Sequence, residues 1–96
     1  MEPSRRAPER ELILANHAFP CAYTVKAFGP AHDEFRVGIE TAIIGAVAVE
    51  RVSFSVRSTR SGHRICITAE IAAESVDEVI AAYESLYEVP GLQLIL

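Results

Sequence analysis

The chain has 96 residues, half of them hydrophobic and 23% charged, which suffices for one domain around a single core and is not the composition of a disordered tail. A formal net charge of −4 and an isoelectric point near 5.3 make it a poor polyelectrolyte partner for nucleic acid. The longest apolar run, Ala42 to Val49, is eight residues interrupted by Gly45, far short of the ~20 that span a bilayer.

In chain order, Met1 to Glu11 mixes Pro3, Pro8 and charged side chains without periodicity, which predicts a flexible arm ahead of a single domain over residues 12–96. The apolar stretch Leu12 to Ala15 behind Arg5, Arg6 and Arg10 is too short for a secretory signal. It is read as a docking turn, and a cytoplasmic location is expected. From Cys21 the pattern alternates, with Tyr23, Val25 and Ala27 on one face and Ala22, Thr24, Lys26 and Phe28 on the other. This predicts a strand ended by Gly29 and Pro30.

Pro30 suits the first turn of a helix, and Phe35, Ile39, Ala42 and Ile43 then recur at helical spacing until Gly45, the expected C-terminal cap. Val52, Phe54 and Val56 alternate with Arg51, Ser53, Ser55 and Arg57. After a turn over Ser58 to His63, Ile65, Ile67, Ala69 and Ile71 alternate with Arg64, Cys66, Thr68 and Glu70. The two runs read as a hairpin. Ser75 with Glu78 fits a capping box that opens a second helix, striped by Val76, Val79, Ile80, Tyr83 and Leu86. Pro90 and Gly91 end it before a terminal strand, Leu92 to Leu96.

The resulting order, βαββαβ, predicts an α+β fold with a four-stranded antiparallel sheet and two helices on one face, the ferredoxin-like arrangement. The first and third strands are then central neighbours. That places Cys21 near Ile71 and away from Cys66, so two reduced cysteines are expected rather than a disulfide.

The segment Phe19-Pro20-Cys21-Ala22-Tyr23-Thr24-Val25-Lys26-Ala27-Phe28-Gly29 resembles the opening strand of the YbeD-like family of small bacterial proteins. The ending Val79-x3-Tyr83-x2-Leu86-x5-Leu92-x3-Leu96 is similar too, and the resemblance spans roughly Leu12 to Leu96. It implies a ferredoxin-like domain with an ACT-like shape, the shape of domains that sense small molecules, and it implies no activity or cofactor. The chain departs from the family pattern in its Arg-rich arm and in Gly45 to Glu50, where the boundary between the helix and the following strand is in question.

Charge is unevenly spread. Arg51, Arg57, Arg60 and Arg64 fall among positions 51–64 without an acidic residue, whereas positions 65–96 hold six acidic residues and no Lys or Arg. Arg57 and Arg64 are expected nearly opposite each other on the outward face. With Lys26 at the end of the first strand and a helix N-terminus opening at the same edge, Lys26, Gly29, Arg57, His63 and Arg64 are the candidate ligand-binding residues, framing a surface for an anion. The bland alternative is that these arginines keep an exposed hairpin soluble.

No catalytic residue is assigned. His17, His32 and His63 show no metal-ligand spacing, and no metal or other cofactor is expected. Phe35-Arg36 resembles the phosphate-binding pair of acylphosphatases, which share the fold, but the Gly-rich turn before it and the asparagine after the second strand are missing, so a hydrolase is the lesser reading. An RNA-binding domain of RRM-like topology is another, set back by the lack of stacking aromatics on the third strand. The expectation is a non-catalytic regulatory module that binds a small anionic metabolite or a protein partner. The uncharged terminal strand at a sheet edge favours a homodimer.

Overall fold

The structure is a computed structural model that describes residues 8–96. Most of the expected arm, residues 1–7, lies outside the described residues. Of its remainder, Arg10 and Glu11 belong to helix α1, which runs from Arg10 to Asn16. Seven residues are too few for a helix to persist alone. This one is docked on the domain through Ile13, which is 3% exposed, and through an ion pair from Arg10 to Asp77.

After the cis Phe19–Pro20 peptide, β1 covers Cys21–Pro30, α2 covers Asp33–Ala46, a short 3-10 turn covers Val49–Arg51, β2 covers Val52–Ser58 and β3 covers Arg64–Ala73. Helix α3 follows over Val76–Leu86, then β4 over Leu94–Ile95. Among the described residues the four strands form one antiparallel sheet in the order β2-β3-β1-β4. The expected α+β class, the hairpin and the central β1–β3 pair are all present.

Several boundaries differ from the sequence reading. Gly29 and Pro30 belong to β1 and pair with Ile65 and Arg64, so Pro30 closes the strand instead of opening α2, whose N-cap is His32. Gly45 lies inside α2 and has no positive φ. The helix ends one residue later, with the Val47 N–H donating to the Ile43 carbonyl, and the Val49–Arg51 turn fills the interval left in question. Ser75 caps α3 as expected, its hydroxyl accepting from the Glu78 N–H. The Glu78 carboxylate, however, accepts from the N–H of Glu74 rather than of Ser75, because its orientation is set by Arg51, as described below.

Period-two alternation sorts the sheet into two sides. Tyr23, Val25, Ala27 and Gly29 of β1 and Ile65, Ile67, Ala69 and Ile71 of β3 are buried, and they meet the buried faces of α2 and α3 in one core. Its fully enclosed members include Val25, Ile39, Ile43, Ile67, Ile71 and Leu86, each contributing about 1.5–3 kcal/mol by leaving water. The opposite side of the sheet carries the polar set of each strand. Cys21 pairs with Ala73 while Cys66 pairs with Phe28, so the two thiols sit near opposite ends of the ladder and both are free.

Candidate functional site

The outward side of the sheet gathers residues that the strand pleat points away from the core. Across the strands, Ser55 pairs with Thr68 and Thr68 with Lys26; one step on, Arg57 pairs with Cys66 and Cys66 with Phe28. Apart from Phe28, the residues of these two rows, together with Thr24, Val56 and Glu70, line a depression of about 440 Å³. Lys26 and Arg57 are exposed. Among the described residues neither side chain has an ion-pair partner.

The five sequence candidates do not all converge. Lys26 and Arg57 share the depression. Arg64 lies past its end, opposite Pro30, and reaches the Gln93 side-chain oxygen at 3.4 Å. Arg57 stands opposite Cys66, not Arg64, so the expected like-charge pair does not form; the hairpin register is offset from the sequence reading. His63 is exposed in the hairpin turn, where its N–H donates to the Ser61 hydroxyl and its carbonyl accepts from Ala31. Gly62 beside it has φ of 77°, a conformation that L side chains avoid.

Gly29 is the clear correction. It is buried on the helix side of β1, where a Cβ would lie 2.3 Å from the Phe35 ring, so it makes room for packing and faces away from Lys26. The N-terminus of α2 follows the same geometry. It borders a separate hollow with Pro30, His32, Pro90 and Gly91, and Asp33 and Glu34 in its first turn already complement the helix dipole. Phe35 is core, and Arg36 reaches Glu40 at 3.2 Å and Asp33 at 3.7 Å. The Phe-Arg pair is therefore engaged in packing and in ion pairs along α2.

At the other end of the sheet lies a second cleft of about 710 Å³ whose lining includes Cys21, Glu50, Ser53, Glu70 and Glu74. Its cation, Arg51, is engaged: the guanidinium donates to both Glu78 carboxylate oxygens at 2.8 and 2.6 Å and to the Ala72 carbonyl at 2.9 Å. These hydrogen bonds hold the Glu78 carboxyl below its ordinary pKa against the opposing effect of desolvation. Sequence reasoning read Arg51 as an outward strand residue and missed this clamp, because nothing local links positions 51 and 78. The outward side thus runs from an acidic end at Glu70 to a basic end at Lys26 and Arg57. Thr24, Ser55, Thr68 and Glu70 join the candidate set, and the signal that finds them is the same alternation that exposes Lys26 and Arg57.

Among the described residues no group of three or more His, Cys, Asp or Glu side chains converges as a metal site would require, and no helix is long and apolar enough to cross a membrane. In comparisons with known proteins, the profile of a family described as "Protein of unknown function (DUF493)" matches residues 15–96. No curated protein and no solved structure matches the chain.

Proposed function

The chain belongs to the DUF493 family, the family of YbeD, and from that premise we propose that it is a non-catalytic, regulatory binding module that takes a small anionic metabolite on the outward side of its sheet. The observation that carries this reading is the depression in which Lys26 and Arg57, without ion-pair partners among the described residues, stand beside the hydroxyls of Thr24, Ser55 and Thr68. Two cations supply charge-assisted hydrogen bonds to a carboxylate or phosphate, and the hydroxyls donate or accept around it. Glu70 closes the acidic end and disfavours a ligand carrying negative charge along its whole length.

The reading extends to the ferredoxin-like, ACT-like architecture expected from the sequence; the antiparallel pairing, the β2-β3-β1-β4 order and the βαββαβ order after α1 support it. It also takes the protein to work in the cytoplasm. The engagement of Arg36 by Asp33 and Glu40 weighs against an acylphosphatase-like hydrolase. The outward residues of β3, which are Arg64, Cys66, Thr68 and Glu70, weigh against base stacking of the RRM kind.

The test is isothermal titration of the full chain with a panel of carboxylate- and phosphate-bearing metabolites, repeated with Lys26→Ala and Arg57→Ala. Each substitution is expected to weaken the responsive ligand about 10-fold or more, the worth of a charge-assisted hydrogen bond. Binding unchanged in both variants refutes the assignment.

A further inference from the structure

The sheet has two edges, and the longer one is not where the sequence reading expects self-association. β4 contributes only Leu94–Ile95, whereas β2 presents seven residues, Val52–Ser58, paired to β3 on one side alone. The devices that usually blunt an edge are sparse here. β2 contains no proline, its register with β3 runs without a bulge, and no charged side chain points inward. On the core side of β2, Val52 and Phe54 are half-buried and Val56 is 46% exposed, so the helix layer stops short of this strand. Val49, just before it, is 57% exposed.

The main chain fixes which groups are available. The Thr59 N–H donates to the Arg64 carbonyl at 2.9 Å, one step beyond the Ser58–Ile65 pair. In an antiparallel ladder hydrogen-bonded and non-hydrogen-bonded pairs alternate, so Ser53, Ser55 and Arg57 bond to β3. The N–H and C=O of Val52, Phe54, Val56 and Ser58 therefore point to the open edge.

We propose that β2 is a dimerisation edge on which a second copy of this chain pairs its own β2, antiparallel about Ser55, to continue the sheet across a two-fold axis. That register is self-complementary, as an isologous contact must be. It sets Phe54 against Val56 of the second copy and Val56 against Phe54, joining the uncovered apolar side chains on the core side of both sheets. Arg57 faces Ser53, and Arg60 comes to the end where Glu50 of the second copy lies. Centring on Phe54 instead sets Arg57 against Arg51, a like-charge pair that is destabilising. Centring on Val56 sets Phe54 against Ser58 and keeps one apolar pair, Val56 with itself, where centring on Ser55 makes two. Ser55 meets its own copy as a non-hydrogen-bonded pair, with Cα atoms about 4.5 Å apart, within disulfide range. The dimer is independent of anion binding, since the backbone edge and the core-side apolar residues carry it.

Sedimentation equilibrium of the full chain from micromolar to millimolar concentration, without added metabolite, reads the association directly against the monomer mass of 10.5 kDa. The expected result is a monomer–dimer equilibrium that Val56→Lys weakens about 10-fold or more with an unchanged circular dichroism spectrum. Because Val56→Lys could lower folding itself, Ser55→Cys provides a second measurement. Oxidised glutathione should link it to itself through residue 55, identified by mass spectrometry, while Ser53→Cys, displaced from the axis, should not self-link. A monomer throughout the concentration range overturns the proposal, as does a dimer in which residue 55 fails to cross-link.

Discussion

Gly29 faces Phe35 across the junction of β1 and α2 so closely that a Cβ on residue 29 would lie 2.3 Å from the ring's Cζ atom. Phe35 is 3% exposed and also closes on Gly91, whose own missing Cβ would stand 3.5 Å from the ring. The ring has little room to retreat.

Gly29→Ala is therefore expected to destabilise the fold by about 1–3 kcal/mol, the usual cost of overpacking a core, while leaving the proposed anion binding at Lys26 and Arg57 unchanged. Urea denaturation measures the first and titration the second. In a Phe35→Leu background the same change should cost less, because the smaller side chain vacates the ring's position and the two sites are coupled. An equal cost in both backgrounds would show that the ring is not the obstacle.

This contact also marks where the sequence stops being informative. Alternation in β1 puts Gly29 on the side of Tyr23, Val25 and Ala27, so its exclusion from the outward side of the sheet was legible from parity alone once the strand was known to reach Pro30. The position of Pro30 hid that, since a proline before a helical pattern is as good a helix opener as a strand terminator. The hairpin strands and the core side of both helices follow from local spacing. The pairing register of β2 with β3 depends on the turn between them, and a small offset separated Arg57 from Arg64. The Arg51–Glu78 clamp joins residues 27 positions apart and leaves no periodic trace.

That clamp makes stability pH-dependent. Arg51 holds the folded-state Glu78 carboxyl below its ordinary pKa, so the unfolded chain takes up the proton more readily and acid favours unfolding. The contribution is complete above the unfolded carboxyl's pKa of about 4.3 and is lost as pH falls through the lower folded value. Glu78→Gln should lower the thermal midpoint at neutral pH, and the gap from the unsubstituted protein should shrink in acid. The Arg10–Asp77 pair is exposed at 48% and 70%, where solvent and salt screen it, so Asp77→Asn should show almost no such dependence. A gap for Glu78→Gln that is constant with pH would contradict the clamp.

Ser75 accepts the Glu78 N–H at 3.3 Å at the start of α3, while the reciprocal bond of a capping box is diverted to Glu74. Ser75→Ala is expected to cost about 1 kcal/mol, the typical worth of an N-cap side chain. Ser75→Asp should retain the cap, since its carboxylate accepts the same N–H. Chemical denaturation of the two variants checks this, and equal losses in both would mean that the cap is not what Ser75 supplies.

Tyr23 on β1 and Tyr83 on α3 meet inside the core, their hydroxyls 3.1 Å apart and their rings edge to face at 6.3 Å. Burial, reinforced by the neighbouring hydroxyl, pushes the Tyr83 phenol well above its ordinary pKa, so it is a protonated hydrogen-bonding group at neutral pH. Replacing one partner leaves the other hydroxyl buried without this hydrogen bond, so Tyr83→Phe should destabilise by about 1–3 kcal/mol. Replacing both removes the two polar groups together and should cost less than the sum of the single changes. A double-mutant cycle by urea denaturation measures the coupling directly, and strictly additive losses would mean that the two hydroxyls do not depend on each other for the link between sheet and helix.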